Sequence, residues 1–452
     1  MGQTTSGFIG TRETCRNRNS TVLVVGAGHV GLTHACFYAE SGIKVVLWDE
    51  SAEVLTKISR GESPFYEPMI EELLKKHLGR NLSVAQHLSE SVIQSDILSV
   101  SVGTPLNPLD EPDVAAVFRA CVNVAGHARE GTLLMLTSTV PVGTTSHLCR
   151  ELHKRGIKVG ERLGVSYCPE RMVTGDGIRT MREFPRMVSG IDVKSVKAAE
   201  HFFQSIGVKV VVVSSPEVAE MAKLLCNAQR AADIALANEF ALACSAYGLD
   251  WTEVFRAANT SPLVDVMGPG IMGGSCLTKD PDFIIHGVLE KGVVLKVSMA
   301  ARELNRSLPS HVAKLVRQAM ERALREISQS KVAVLGLAFK GNTGDIRETP
   351  VLPIISLLNK MGFERICVYD PYVSTEDVES TGLEFDLVRD MKLAVQDAAC
   401  IILAADHPQI ANADLAEICR HAVQPPILID AKGILTTRIG GAFQGGIGLP
   451  LR

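Results

Sequence analysis

Three glycines at positions 26, 28 and 31, set between an apolar run and a helical stretch, constrain the start of this chain more than any other feature. Thr21–Val25 is β-branched and apolar, which predicts a buried parallel strand. A helical stretch follows to about Ser41 and ends at Gly42. Ile43–Trp48 reads as a second strand, with Asp49 at its end. Strand, glycine turn, helix and strand make a βαβ unit. In that unit Gly26 permits the tight turn, Gly28 lets backbone approach a pyrophosphate, and Gly31 packs the helix on the strand. His29 and Val30 open the helix, whose N-terminal N–H groups can receive phosphate. Asp49 lies 18 positions beyond Gly31, where a carboxylate accepts from both ribose hydroxyls and repels a 2′-phosphate. That favours NAD over NADP. A purely structural turn and an FAD site share the pattern and stay open on these residues alone.

The same texture recurs downstream. Ser95–Val102, Thr132–Ser138, Leu163–Cys168 and Val208–Val213 read as further strands, several ending in loops rich in Gly, Pro, Ser and Thr. In an open parallel sheet such ends carry the ligands. From Ser215 to about Tyr247 the chain turns to Ala, Leu, Glu and Lys with no Gly and no Pro after Pro216, predicting a long helix. Helical character resumes beyond residue 274 and runs to about Ser328. Lys331–Leu335, Ile366–Tyr369, Cys400–Ala404 and Ile427–Ile429 then restore the βα pattern. The expected fold class is therefore α/β: two Rossmann-like, doubly wound parallel-sheet domains joined by a long central helical region. The expected divisions are a disordered tail over 1–20, a dinucleotide domain over 21–213, a helical middle over 214–328 and a second Rossmann-like domain over 329–452.

Two further segments carry chemistry. Glu220, Lys223, Asn227 and Arg230 follow at spacings of three, four and three, along one face of the long helix. Ala222, Leu224, Leu225, Cys226 and Ala228 suit a buried opposite side. A solvated ion-pair face is the ordinary fate of such a stripe. The alternative is an anion site, since a Lys beside an Asn can hold an oxyanion or a phosphate-bearing sugar. The second segment is Gly268–Asp280, with four glycines in the seven residues 268–274 and Cys276 emerging where a helix is expected to begin. A helix N-terminus and Lys279 both favour thiolate. Asp280, four residues on, can relay a proton or position water. A buried, inert thiol is the competing reading for Cys276 and the preferred one for the other ten cysteines.

Composition narrows the partners. A net charge of −4 gives no basic footprint, so nucleic acid is not expected. The eleven cysteines include no C-x-x-C pair, which points to reduced thiols in a cytoplasmic protein, with neither a disulfide framework nor a metal site. No run of about 18 apolar residues predicts a membrane span.

Gly26–Gly31, Pro64–Pro68, Val102–Pro105, Ser138–Thr145, Gly273–Cys276 with Lys279 and Asp280, and Gly336–Lys340 through Arg347 and Glu348 occur in that order. Together they resemble the UDP-glucose/GDP-mannose dehydrogenase family over about residues 21–435. The resemblance implies an NAD domain, a dimer-forming helical centre and a C-terminal domain for the nucleotide of a UDP-sugar. It also implies a homodimer or higher homo-oligomer, and a four-electron oxidation of the sugar's C6 alcohol to the uronate with two NAD per turnover. By this resemblance Cys276 carries the sugar as thiohemiacetal and thioester. Lys223 and Asn227 hold oxyanion and sugar, and Asp280 is the catalytic aspartate. Thr139 and Glu170 lie near the reacting carbon and water. Cofactor contacts fall on Gly26, Gly28, His29, Val30, Gly31, Asp49, Gly103, Thr104 and Thr139. Substrate contacts fall on Glu170, Arg171, Lys223, Asn227, Arg230, Gly273, Lys340 and Arg347.

Signatures of two branches are mixed. Cys168–Arg171, Arg230, Asp233–Glu239, Gly268–Gly270 and Pro281 resemble enzymes of UDP-N-acetylhexosamines, whereas Gly-Gly-Ser-Cys resembles the UDP-glucose and GDP-mannose branches. The reading leans to a UDP-N-acetylhexosamine, with UDP-glucose next. His29 stands where the family usually has Tyr, and Lys432 where some members have Arg. A catalytically silent binding homologue and a two-electron hydroxy-acid dehydrogenase are the competing classes; neither needs the thiol.

Overall fold

Strands whose residues are apolar throughout can be satisfied only when both faces of their sheet are covered, and this chain builds two such sheets. The computed structural model describes residues 20–435 and 437–452, so the tail expected over 1–20 lies, Ser20 apart, outside the described residues. The first sheet comprises β1 (Thr21–Val25), β2 (Lys44–Trp48), β3 (Leu82–Val84), β4 (Ile97–Val100), β5 (Thr132–Leu136), β6 (Leu163–Tyr167), β7 (Arg186–Gly190) and β8 (Val210–Val212). Its order is β3-β2-β1-β4-β5-β6-β7-β8. The second comprises β9 (Lys331–Leu335), β10 (Arg365–Tyr369), β11 (Asp386–Val388), β12 (Ala398–Leu403), β13 (Ile427–Asp430) and β14 (Phe443–Gly446), in the order β11-β10-β9-β12-β13-β14. From its first strand, each sheet runs in the 3-2-1-4-5-6 order of a doubly wound dinucleotide fold. The order reverses beside β1 in one and beside β9 in the other, and those are the crevices where such sheets receive ligands.

The expected α/β class is the one observed. All ten expected strands are present, and four more, β3, β7, β11 and β14, join them. β7 also breaks the parallel rule: it pairs antiparallel with β6, Ser166 against Gly190 and Tyr167 against Ser189. Apolar clusters cover both faces of each sheet. Around the first, Val22, Leu32 and Phe37 lie on one side and Leu23, Val100 and Leu148 on the other. Around the second, Val332 and Ile402 face one cluster, Ala333 and Ile401 the opposite one.

By internal contacts the chain divides into two compact units. One holds the residues up to Cys226 together with Asp282–Val293; the other holds Asn227–Pro281 and Val294–Arg452. Helix Pro216–Tyr247, 32 residues long, runs from the first into the second. Helices Asp280–Leu289 and Lys296–Arg322 follow. Among the described residues no helix is long and apolar enough to cross a membrane.

Candidate active site

The glycine turn of the first unit has the geometry its sequence requires. Gly26 has φ +99°, and a Cβ on Gly31 would lie 1.8 Å from the Gly26 carbonyl oxygen, so neither position accepts a side chain. Gly28 has open space where its Cβ would be, and it caps helix His29–Glu40. Asp49 closes the turn: its Oδ2 accepts the Ala27 N–H at 2.7 Å and its Oδ1 the Ser51 N–H at 2.9 Å. The half-buried carboxylate retains lone pairs for a diol. A bare cradle at a helix N-terminus with an acid at its rim fits a dinucleotide. His29 stacks on Phe65, ring centroids 3.7 Å apart, so the ring that replaces Tyr is fixed by the Pro64–Pro68 segment.

Gly103 and Thr104 follow β4, Thr139 follows β5 and Glu170 follows β6, which gathers these residues at the carboxyl ends of adjacent strands. Gly103 is exposed, Thr139 half-buried and Thr104 buried. Glu170 is buried and fully engaged. It accepts His34 Nε2 at 2.5 Å, Arg186 Nη2 at 2.6 Å, and the backbone N–H of Arg171 and Met172 at 2.6 and 2.8 Å. Burial pushes its carboxyl up, but the Arg186 guanidinium and the His34 hydrogen bond outweigh that and hold it well below the usual carboxylate range. His34 is lowered as well, here because burial outweighs the opposing pull of Glu170. A neutral His34 donating from Nε2 leaves Nδ1 to accept from Ser101 Oγ at 3.2 Å, and Ser101 in turn meets Thr137 Oγ1 at 2.6 Å. Neither His34 nor Arg186 was singled out from the sequence. The signals were a His inside an apolar helix and an Arg opening an apolar strand. Arg171, half-buried, donates to the Pro185 carbonyl.

The stripe on the long helix is not a solvated face. Glu220, Lys223 and Asn227 are all buried, and only Arg230 is exposed. Glu220 accepts the backbone N–H of Gly143 and Thr145 and the Thr145 hydroxyl, filling the N-terminus of helix Thr144–Lys154. Leu225 and Cys226, expected on a buried side, are exposed, while Leu224 is buried. The helix therefore turns its polar face inward. Val218, Met221, Leu225, Leu236, Phe240 and Tyr247 are exposed, and at helical spacing they fall within a stripe roughly 100° wide.

In the second unit the cysteine loop is pressed against the loops of the second sheet. A Cβ on Gly273 would lie 2.5 Å from Pro350 and 2.8 Å from Phe339; one on Gly274, where φ is +88°, would lie 2.6 Å from the Phe339 ring. Asn238, fully buried on the long helix, grips Gly270 through both its N–H and its carbonyl, at 2.8 and 3.1 Å. Cys276 is exposed and outside any disulfide. It precedes the helix by one turn: helix Asp280–Leu289 begins later than expected, and the Asp280 N–H donates to the Cys276 carbonyl at 2.9 Å. Asp280, 0% exposed, accepts Asn227 Nδ2 at 2.6 Å and Lys279 Nζ at 2.9 Å. Lys279 thus pairs with the aspartate. Arg347 donates two bonds to Asp345 at 2.9 and 2.7 Å. Burial lowers the Arg347 guanidinium, but the hydrogen bonds and charge of Asp345, with a smaller contribution from Cys276, raise it above its ordinary value. Lys340, half-buried, follows β9 at the second crevice. The unit thus brings Asn227, Cys276 and Asp280 to one loop and places Arg347 within electrostatic reach. A cleft of about 250 Å³ opens beside it, lined by Met272, Leu277, Thr278, Arg302 and Arg306.

Sequence profiles of one family match along the chain. The NAD binding domain of the UDP-glucose/GDP-mannose dehydrogenase family matches residues 20–207, its central domain 217–307 and its UDP binding domain 333–437. A UDP-N-acetyl-D-mannosamine dehydrogenase of Pyrococcus horikoshii is 33% identical over 430 residues, 94% of this chain and 99% of its own length. A solved UDP-D-ManNAc dehydrogenase from Pyrococcus horikoshii has a TM-score of 0.85 at 32% identity, covering 95% of this chain and 99% of that one. A solved UDP-glucose dehydrogenase from Pyrobaculum islandicum has a TM-score of 0.84 at 26% identity, covering 95% and 98%. The first profile decides the cofactor the glycine turn left open: it is NAD.

Proposed function

The chain belongs to the UDP-glucose/GDP-mannose dehydrogenase family, and from that premise we propose that it oxidises the C6 alcohol of a UDP-sugar to the uronate through a thioester on Cys276. The observation that carries this reading is the buried Asn227–Asp280 hydrogen bond at the foot of a glycine loop that presents an exposed thiol. UDP-N-acetyl-D-mannosamine is the substrate we favour, because a relative of that specificity matches nearly end to end. UDP-glucose is the second reading, favoured by the Gly273-Gly-Ser-Cys276 signature.

NAD, held by Gly26, Gly28, Gly31 and Asp49, supplies the two-electron acceptor for each of two oxidations. The chain's own residues do the rest. The C6 alcohol gives up a proton from oxygen and a hydride from carbon to become an aldehyde. Cys276 Sγ forms a bond to the aldehyde carbon, and the resulting alkoxide takes a proton to give a thiohemiacetal. Lys223, one helical turn before Asn227, stabilises that alkoxide and the later tetrahedral anion. Loss of a second hydride from carbon and a proton from oxygen gives the thioester. Water adds, the C–S bond breaks, and the carboxylate leaves with the thiol restored. Asp280 takes the water's proton, and Asn227 keeps its carboxylate aimed. Thr139 supports the reacting end of the sugar, and Gly103 and Thr104 support the cofactor. Glu170 acts as a fixed charge that orders the Arg171 loop. Lys340 and Arg347 serve the nucleotide-sugar side, with Arg171, Arg230 and Gly273 at its margins. Cys276 must be reduced to act, which agrees with a cytoplasmic setting. We assign the exposed apolar stripe of the long helix to a homodimer.

The test is a panel of UDP-N-acetylmannosamine, UDP-N-acetylglucosamine, UDP-glucose and GDP-mannose, counting NADH per sugar consumed. Two NADH per sugar is the expected ratio. A ratio of one sinks the thioester route.

A further inference from the structure

Resting on the proposed role of Cys276, we infer that Lys432 is a positioning residue that ties the cysteine loop to the nucleotide-side loop, so that the UDP end of the substrate sets where the thiol stands. Lys432 follows β13, and its Nζ donates to the Phe339 carbonyl at 3.1 Å and the Ile271 carbonyl at 3.3 Å. Phe339 belongs to the segment after β9 that carries Lys340; Ile271 lies five residues before Cys276. One ammonium therefore bridges two loops, while backbone bonds hold the cysteine loop only at its edges: Ile271 N–H donates to the Ala431 carbonyl of the loop after β13 at 2.9 Å, and Gly274 N–H to the Glu348 carbonyl, farther along the segment after β9, at 3.2 Å. Between those edges Gly273 and Gly274 lie against Phe339 with no room for a Cβ, so a shift of Phe339 is passed directly to the two residues that precede Ser275 and Cys276.

The base of the tie is rigid. Asp430 accepts the N–H of Lys432 and Gly433 on Oδ1, at 2.9 and 2.8 Å, and that of Leu435 on Oδ2 at 2.7 Å. Asp406, which follows β12, supplies countercharge. Burial raises its carboxyl, and Lys432, the Gly341 N–H and Lys340 together bring it below its ordinary value. Lys340, Asp406 and Lys432 thus follow β9, β12 and β13, three adjacent strands at the crevice of the second sheet. An anion held by Lys340 shifts the adjoining Phe339 segment, and the ammonium, bonded to both carbonyls, passes that shift to the cysteine loop; this is how occupancy at the nucleotide end reaches the thiol. A guanidinium here reaches further and binds in a planar fork; the shorter Lys, with three rotatable donors, suits two carbonyls on different loops.

The test is the alkylation rate of Cys276 by iodoacetamide, read by peptide mapping to separate it from exposed Cys226, with and without saturating UDP. In the wild-type chain UDP is expected to change that rate by about tenfold, the scale of one charge-assisted hydrogen bond made or lost. Lys432→Met should bind UDP yet show no response, and should lower kcat for sugar oxidation with KM little changed. Lys432→Arg, which keeps a cation over both carbonyls, should restore part of the response. A UDP-binding Lys432→Met chain with the wild-type response overturns the inference. So does loss of UDP binding in that variant, which makes Lys432 a ligand contact and not a tie, and so does a wild-type rate indifferent to bound UDP. If the wild-type chain binds no UDP, the nucleotide-sugar reading fails instead; the tie is then judged by basal alkylation, and equal rates in wild type and Lys432→Met overturn it.

Discussion

Arg186 and Glu170 show what a single side chain contributes here. Both are buried, and each neutralises the other 2.6 Å away. Truncating one leaves an uncompensated charge in the interior. Arg186→Met should therefore cost about 3–5 kcal/mol in urea unfolding of a first unit that otherwise keeps its fold. The same network makes stability acid-sensitive. His34 lies below its ordinary 6.5, so the unfolded chain gains a proton first as pH falls through that value, and stability drops. Glu170 lies below its ordinary 4.5, so its contribution is complete above that pH and is lost on further acidification. The urea midpoint should decline in two stages below about pH 6.5, and His34→Gln should remove the first. A midpoint unchanged down to about pH 5 refutes the assignment. At the chemical centre, Cys276→Ser should lower kcat by about a thousandfold or more, and Asp280→Asn by roughly a hundredfold or more, both in single-turnover NADH assays. The glycine turn of Gly26 and Gly31 and its closing Asp49 could be read from the sequence because the spacing that reveals them is short. His34 could not, because its partner is 136 positions away and nothing near it in the chain signals a buried carboxylate.

At the level of elements the cysteine loop is the most demanding. Its glycines serve contact as well as conformation: Gly274 has both a left-handed φ and an aromatic ring at its Cβ position. Gly274→Ala should destabilise the second unit by about 1–3 kcal/mol and depress turnover while NAD binding, measured by fluorescence quenching, stays intact. Equal loss of NAD affinity contradicts that separation. The apolar strands were legible as runs, and so was the start of the long helix at its Ser215-Pro216 boundary. β7 was not, because Arg186-Met-Val-Ser-Gly190 offers a charge and two small residues where a buried run is expected, and its antiparallel pairing depends on how the chain returns from helix Gly177–Glu183. β14, with Phe443-Gln-Gly-Gly446, is equally opaque. The stripe on the long helix was visible by period, but period alone cannot say which face is inside. Glu220 decides it by filling a helix N-terminus 75 residues back along the chain.

The whole chain repeats one architectural idea twice, a 3-2-1-4-5-6 sheet with a glycine after its first strand and an acid after its second. Gly26 and Asp49 have their counterparts in Gly336 and Asp370, whose Oδ2 accepts the N–H of Leu337 and Ala338. That echo was legible in outline. Self-association is the property predicted at this scale. Phe240 is 56% exposed and Leu236 53%, on a helix too apolar on its outer side to stand alone in water. Phe240→Glu should convert a dimer to monomers in sedimentation at micromolar concentration; an unchanged mass refutes the assignment. Because the long helix buries Glu220, Lys223, Asn227 and Asn238 on one side and exposes an apolar stripe on another, no substitution along it is confined to one property. Adding polarity on the outer side to keep the subunit dispersed also unsettles the turns that carry Lys223 and Asn227. A lineage adjusting its quaternary habit would therefore find its kinetics drifting as well, and a biochemist diluting the enzyme should watch for both together.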